Sequence, residues 1–151
     1  LKDLKKLAAS LKISKHVIFN DWIPDENLPD YYRAADVFAL SSRYEPVGMT
    51  AIEAMACGTP TVITTEGGLL ELVTWGLESI YANPEDDIAF GMAIATILEY
   101  PRIAAQLARY GSYKARAAFT WMGIAQKTIN ILSTRPERIR PDIMAADELR
   151  N

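Results

Sequence analysis

The stretch Ser41–Leu72, SSRYEPVGMTAIEAMACGTPTVITTEGGLLEL, decides how the chain is read. Just before it, Asp36–Leu40 (DVFAL) is short, apolar and β-prone, the pattern of a buried strand. A loop, Ser41–Val47, follows, and Met49–Met55 (MTAIEAM) is rich in helix formers. Gly58-Thr59-Pro60 ends that helix, because proline lacks an amide hydrogen and clashes with the preceding turn. Thr61–Thr64 (TVIT) reads as a second buried strand, Gly67-Gly68 as a second turn, and Leu69–Val73 as the start of another helix. Strand, loop and helix repeated in this order predict parallel strands joined by right-handed crossovers.

In such sheets ligands bind outside the carboxyl ends of the strands, where the loops Ser41–Gly48 and Thr65–Gly68 fall. A helix starting near Gly48 aims unpaired N–H groups and a positive dipole end at that crevice. Gly48 lets a phosphate come close to the backbone, and Thr50 adds a hydroxyl in the first turn. Two carboxylates flank this start: Glu45 in the loop and Glu53 inside the helix, with seven residues between them. A carboxylate accepts two hydrogen bonds in its plane, which suits the vicinal hydroxyls of a sugar or ribose. Donors for phosphate beside acceptors for hydroxyls describe a site for a nucleotide-sugar.

Glu45 and Glu53 lie within EPVGMTAIEAMACGTPTV, with GGLLELV following. This text resembles the E-x7-E signature of the retaining group 1 glycosyltransferases of the GT-B fold, and within them it looks most like the sucrose-phosphate synthase and mannosylfructose-phosphate synthase branches. It departs from them at Val47, where the family usually has Phe, and at Leu70, where Pro is frequent before a Glu. The resemblance implies Glu53 on the ribose hydroxyls and Glu45 beside the donor hexose, stabilising positive charge that develops at the anomeric carbon. It also implies Val47, Gly48, Met49 and Thr50 as donors to hexose and diphosphate, and the loop at Trp22 and Ile23 near the nucleobase. There the backbone makes the base contacts and the two side chains pack under the loop.

Gly67 and Gly68 remain open between a left-handed turn and a close approach of ligand to backbone, and Arg43 between pairing with Glu45, meeting a phosphate and lying free on the surface. By the same resemblance, residues 1–132 correspond to the later part of the donor domain and 133–151 to a tail. The expected partners are an acceptor domain of the same enzyme, a nucleotide-sugar and a sugar phosphate. An Arg/Lys pair for the pyrophosphate would lie outside this chain, whose first residue, Leu1, fits a fragment. Alone, the chain is expected to expose a sheet edge and to turn over no substrate.

Composition narrows the alternatives. The chain has 151 residues, half of them apolar, enough for one domain with a real core. A net charge of −3 gives no electrostatic case for nucleic acid or an anionic membrane. No apolar run approaches the ~20 residues of a membrane span. One cysteine, Cys57, makes an internal disulfide impossible and points to a cytoplasmic setting. One histidine, His16, argues against a His/Cys metal cluster and a Ser-His-Asp triad. No cofactor is expected beyond the donor substrate, which the resemblance implies to be UDP-glucose. A non-catalytic nucleotide-binding module is the reading from another class, and an epimerase of the same fold is disfavoured by E-x7-E.

The remaining elements are read from periodicity and caps. Leu1–Leu11 is an amphipathic helix, His16–Phe19 (HVIF) a buried strand and Leu28–Ala35 a helix with Pro29 in its first turn. Ser79–Tyr81 is an edge strand, Ile88–Leu98 a helix with acids at its start, and Arg102–Phe119 a helix weakened at Gly111. Thr120 caps a last helix to Leu132, and Trp121 is its packing anchor. Tyr31, Tyr32, Phe38, Met55 and Met92 fall at core-like spacing, and Cys57 reads as a buried small residue. The fold class predicted is α/β: a Rossmann-like, mostly parallel sheet of about four strands flanked by helices.

Overall fold

Thr61–Thr64 forms β2, the middle strand, and all four of its residues are buried. A strand hidden on both faces has no inside-outside alternation, and Thr61–Thr64 is β-branched throughout, with the two buried threonine hydroxyls hydrogen-bonded to Ser79 Oγ and to Glu66 N–H. In the computed structural model, which describes residues 1–134, β1 (Phe38–Leu40) and β3 (Ile80–Ala82) flank it in the order β1-β2-β3. Both pairings are parallel, with Phe38 opposite Thr61 and Val62 opposite Ile80.

Successive residues on a strand face opposite ways. Val62 therefore packs with Ile80, Ala82, Phe90, Ala93, Ile97 and Leu107. Ile63 joins Ala51, Ile52, Met55, Leu69, Val73 and Ala115 on the other side. The helix α3 (Met49–Ala56) covers the second face, α4 (Asp87–Glu99) covers the first, and α5 (Pro101–Ala118) reaches both clusters. The three-layer α/β arrangement expected from the sequence is thus present. Before the sheet come α1 (Lys2–Ser10) and α2 (Leu28–Ala34), and after α5 comes α6 (Trp121–Thr134).

The helix ends have the partners that unpaired termini require. Asp86 caps α4 by accepting from Ala89 N–H at 2.9 Å, and Thr120 Oγ1 accepts from Gly123 N–H at 3.1 Å. At the far end of α3, Arg116 of α5 donates twice to the Ala56 carbonyl, at 3.1 and 3.0 Å. A cation there also complements the negative end of the helix dipole.

Several expectations are corrected. His16–Phe19 is no strand: a 3-10 turn spans Ser14–His16, and Ile18 is 86% exposed. A strand exists only through a ladder partner, and this segment finds none among the described residues, so the sheet has three strands rather than four. The outer edge of β1 likewise carries no strand among the described residues, and Ala39 is exposed. Leu69–Val73 opens no α-helix; it is replaced by a 3-10 turn, Gly68–Glu71, because Gly68 N–H bonds back to the preceding loop. Gly111 does not weaken α5, which runs through it unbroken. A Cβ there would lie 3.0 Å from the Glu78 carbonyl oxygen, so glycine marks a close crossing.

Tyr31 and Met92 are exposed rather than core, and Cys57 is half-buried. Adjacent helical residues point ~100° apart, so only one of Tyr31 and Tyr32 can face the sheet, and it is Tyr32. Trp121, read as a packing anchor, is 86% exposed, because among the described residues α6 packs chiefly against α5. The tail from residue 135 lies outside the described residues.

Candidate functional site

The two loops at the carboxyl ends of β1 and β2 are fastened to each other. Glu45 N–H donates to the Glu66 carbonyl at 3.2 Å, and Gly68 N–H donates to the carbonyls of Glu45 and Pro46 at 3.3 and 3.2 Å. Gly67, with φ +152°, lies directly against the Glu45 backbone, where a Cβ would collide with the carbonyl oxygen. At Gly68 a Cβ would stand 2.5 Å from the Pro46 carbonyl oxygen. Neither glycine forms the left-handed turn considered above, and the approach that demands glycine at Gly67 is that of the neighbouring loop.

Gly48 is buried and left-handed at φ +76°, which turns the chain into α3. Its N–H donates to Glu45 Oε1 at 2.9 Å, and Ser42 Oγ donates to Glu45 Oε2 at 3.2 Å. Glu45 thus folds back as a clasp on the start of the helix. The Gly48 amide, expected to be free for a ligand, already has an acceptor. The next two amides, those of Met49 and Thr50, have none among the described residues. Val47, Met49 and Thr50 are exposed around them. Arg43 pairs with neither Glu45 nor an open position; its Nε lies 2.8 Å from Glu85 Oε1. Both partners are exposed, so this ion pair contributes little.

Glu53 is exposed on α3, and its Oε2 accepts from the Tyr32 hydroxyl at 2.9 Å. It lines a cavity of about 430 Å3 together with Asp25, Leu28, Pro29, Tyr32, Ala56 and Cys57. Partial burial, then the hydrogen bond it donates to Glu53 and the charge on that carboxylate, push the Tyr32 hydroxyl up to about 12. It therefore remains a donor at neutral pH. Glu45 does not line this cavity. The two acids of the motif serve adjacent places: one at the tip of α3, the other in a groove between α2 and α3.

Trp22 and Ile23 do not line the cavity either. Trp22 is 76% exposed, which corrects the expectation that its side chain packs under the loop; Ile23 is half-buried. The loop instead turns at Pro24, whose carbonyl accepts from Asn27 and Leu28 N–H at 2.9 and 3.2 Å and so places Asp25 at the cavity rim. Sequence reasoning missed Ser42, Asp25, Leu28, Pro29 and above all Tyr32, which it assigned to the core. The cue available for Tyr32 was a tyrosine on a short helix beside an apolar strand, which suggests packing and not a polar contact. Among the described residues no group of three or more His, Cys, Asp or Glu is placed to hold a metal ion, and no single helix is long and apolar enough to cross a membrane.

Comparison with known proteins gives this geometry a family. The sequence profile for "Glycosyl transferases group 1" matches residues 1–114. The chain is 47% identical over 135 residues to mannosylfructose-phosphate synthase of Agrobacterium fabrum, covering 89% of this chain and 30% of that protein. Its structure is similar to that of sucrose-phosphate synthase from Thermosynechococcus elongatus, with a TM-score of 0.79 and 35% identity over 87% of this chain and 33% of the other. It is also similar to Anabaena HepE in complex with UDP, with a TM-score of 0.80 and 29% identity over 89% of this chain and 36% of the other. The chain spans about a third of the length of the curated relatives it matches. With its parallel sheet, fastened loops and glycine-led helix, the chain belongs to the group 1 glycosyltransferase family.

Proposed function

We propose that this chain is the donor-binding portion of a retaining hexosyltransferase that moves a sugar from a nucleotide-sugar to a sugar phosphate. One observation carries the reading. The tip of α3 presents the Met49 and Thr50 amides without protein acceptors, and Glu53 stands exposed further along the same helix with only one oxygen engaged. Amides at a helix N-terminus suit a diphosphate. A carboxylate farther along suits the ribose diol that follows it in a nucleotide.

In this reading the acceptor hydroxyl attacks the anomeric carbon on the face from which the diphosphate departs. The helix tip stabilises the leaving diphosphate, and Glu45 faces the positive charge developing on the hexose. Glu45 need not release its clasp, because each carboxylate oxygen has a second lone pair. The preferred donor is UDP-glucose and the preferred acceptor fructose 6-phosphate, giving sucrose 6-phosphate. Support comes from the likeness to sucrose-phosphate synthase and to HepE solved with UDP and with UDP-glucose. A second reading, GDP-mannose as donor and mannosylfructose phosphate as product, is favoured by the 47% identity to mannosylfructose-phosphate synthase.

The test is a panel of UDP-, ADP- and GDP-sugars against sugar-phosphate acceptors, read by mass spectrometry, on the protein in which this chain is joined to an acceptor-binding domain. A new disaccharide phosphate supports transfer and names the donor. Donor binding without any product would leave a nucleotide-binding module. The 151-residue chain alone is expected to bind nucleotide weakly, in the millimolar range, and to turn over none.

A further inference from the structure

Tyr32 is held from three directions. Its ring meets Phe38 of β1 edge-on, with centroids 5.6 Å apart and planes at 74°. Its carbonyl accepts from the hydroxyl of buried Thr59 at 2.6 Å, just before β2. Its own hydroxyl donates to Glu53 Oε2 at 2.9 Å. One residue, through its side chain and its carbonyl, therefore links α2, β1, the turn before β2 and α3.

Glu53 gives this arrangement its meaning. An exposed glutamate on a helix samples many rotamers, and ordering it is costly. A tyrosine has only two side-chain torsions, and here its ring and backbone are both fastened. A fixed donor on one carboxylate oxygen selects the rotamers that keep the contact, and the other oxygen remains available as an acceptor. The apolar part of the cavity wall, Leu28, Pro29 and Ala56, offers Glu53 no competing donor from its side chains. With its hydroxyl pushed up to about 12, Tyr32 keeps its proton at neutral pH.

We propose that Tyr32 is a positioning residue for Glu53, holding one oxygen so that the other accepts from the ribose diol of the bound nucleotide. The inference rests on the donor-site reading above and adds to it a residue that touches no substrate atom. It predicts that Tyr32 matters to nucleotide binding only through Glu53 and only when the sugar carries its hydroxyls.

The experiment is a calorimetric titration, with circular dichroism spectra recorded alongside, of the protein in which this chain is joined to an acceptor-binding domain, with UDP and with 2′,3′-dideoxyuridine 5′-diphosphate. Wild type, Tyr32→Phe, Glu53→Ala and the double variant are compared, and their spectra report whether each is folded. Wild type is expected to prefer UDP. Tyr32→Phe is expected to weaken UDP about three- to tenfold while leaving the dideoxy analogue unchanged. In the Glu53→Ala background, Tyr32→Phe is expected to change neither affinity. A Tyr32→Phe chain that keeps the full ribose preference overturns the positioning role and leaves the site reading standing. The same holds if the phenylalanine variant loses as much UDP affinity without Glu53 as with it, since that loss would be structural. Equal wild-type affinity for the two nucleotides, or no binding of UDP at millimolar concentration, overturns the site reading and this inference with it.

Discussion

Glu45 and Glu53 share one motif and one residue type, but the fold uses them differently. Glu45 has both oxygens on protein donors, Gly48 N–H and Ser42 Oγ, and its backbone is zipped to the neighbouring loop through Glu66, Gly67 and Gly68. Glu53 has one oxygen on Tyr32 and stands exposed at a cavity. Removing the first acid disturbs the helix start as well as any chemistry performed there. Removing the second leaves the scaffold intact, so it is the cleaner probe of ligand binding.

The largest effect should come from breaking the Glu45 side of this contrast at its backbone. Gly67→Ala is expected to cost about 3 kcal/mol, because the added carbon meets the Glu45 carbonyl and the local φ is unfavourable for alanine. The melting temperature should fall by roughly 10 °C, and an unchanged melt would mean that the two loops are not fastened. Next in size, Glu45→Ala should cost about 1–2 kcal/mol in urea unfolding, through loss of the acceptor for Gly48 N–H and Ser42. Glu45→Gln keeps an acceptor oxygen, so it should recover most of that stability while still lowering kcat in the complete transferase. If kcat is retained, Glu45 belongs to the scaffold alone.

Glu53→Ala should change stability by no more than about 0.5 kcal/mol, as an exposed substitution does. It should also weaken nucleotide binding about tenfold by calorimetry. A large loss of stability would erase the distinction between the two acids. The smallest effect concerns Tyr32 and pH. Its folded value of about 12 lies above the ordinary 10.0, so the fold favours the neutral phenol. Its contribution is full below pH 10 and is lost as pH rises toward about 12. The stability gap between wild type and Tyr32→Phe should therefore shrink across that interval, and a constant gap would show that neither burial nor the Glu53 contact raises this hydroxyl.

What could be read from residues alone follows from how local each feature is. Thr61–Thr64 was predicted to the residue, since a short β-branched run bounded by Pro60 and a glycine turn has few alternatives. The start of α3, the acidic start of α4 and the Thr120 cap of α6 were legible for the same reason. His16–Phe19 has an equally good strand pattern and failed, because pairing is a property of two segments and composition describes one. Glu45 and Glu53 were found through their spacing in a known motif. The clasp on Gly48 was not, because an acid before a helix does not announce whether its carboxylate turns inward or outward. Tyr32 was missed because its partner lies 21 residues away on another helix. Only the packing of α2 against α3 brings them together.

The guanidinium of Arg116 on the last carbonyl of α3 has a consequence for how different donors are accommodated. The helix is tied to α5 at its tail, while at its tip Glu45 clasps Gly48. If the tip of α3 holds a diphosphate as proposed, differences between donors fall to the exposed loop at Trp22 rather than to this fastened frame, and preference can drift there without rebuilding the platform beneath it.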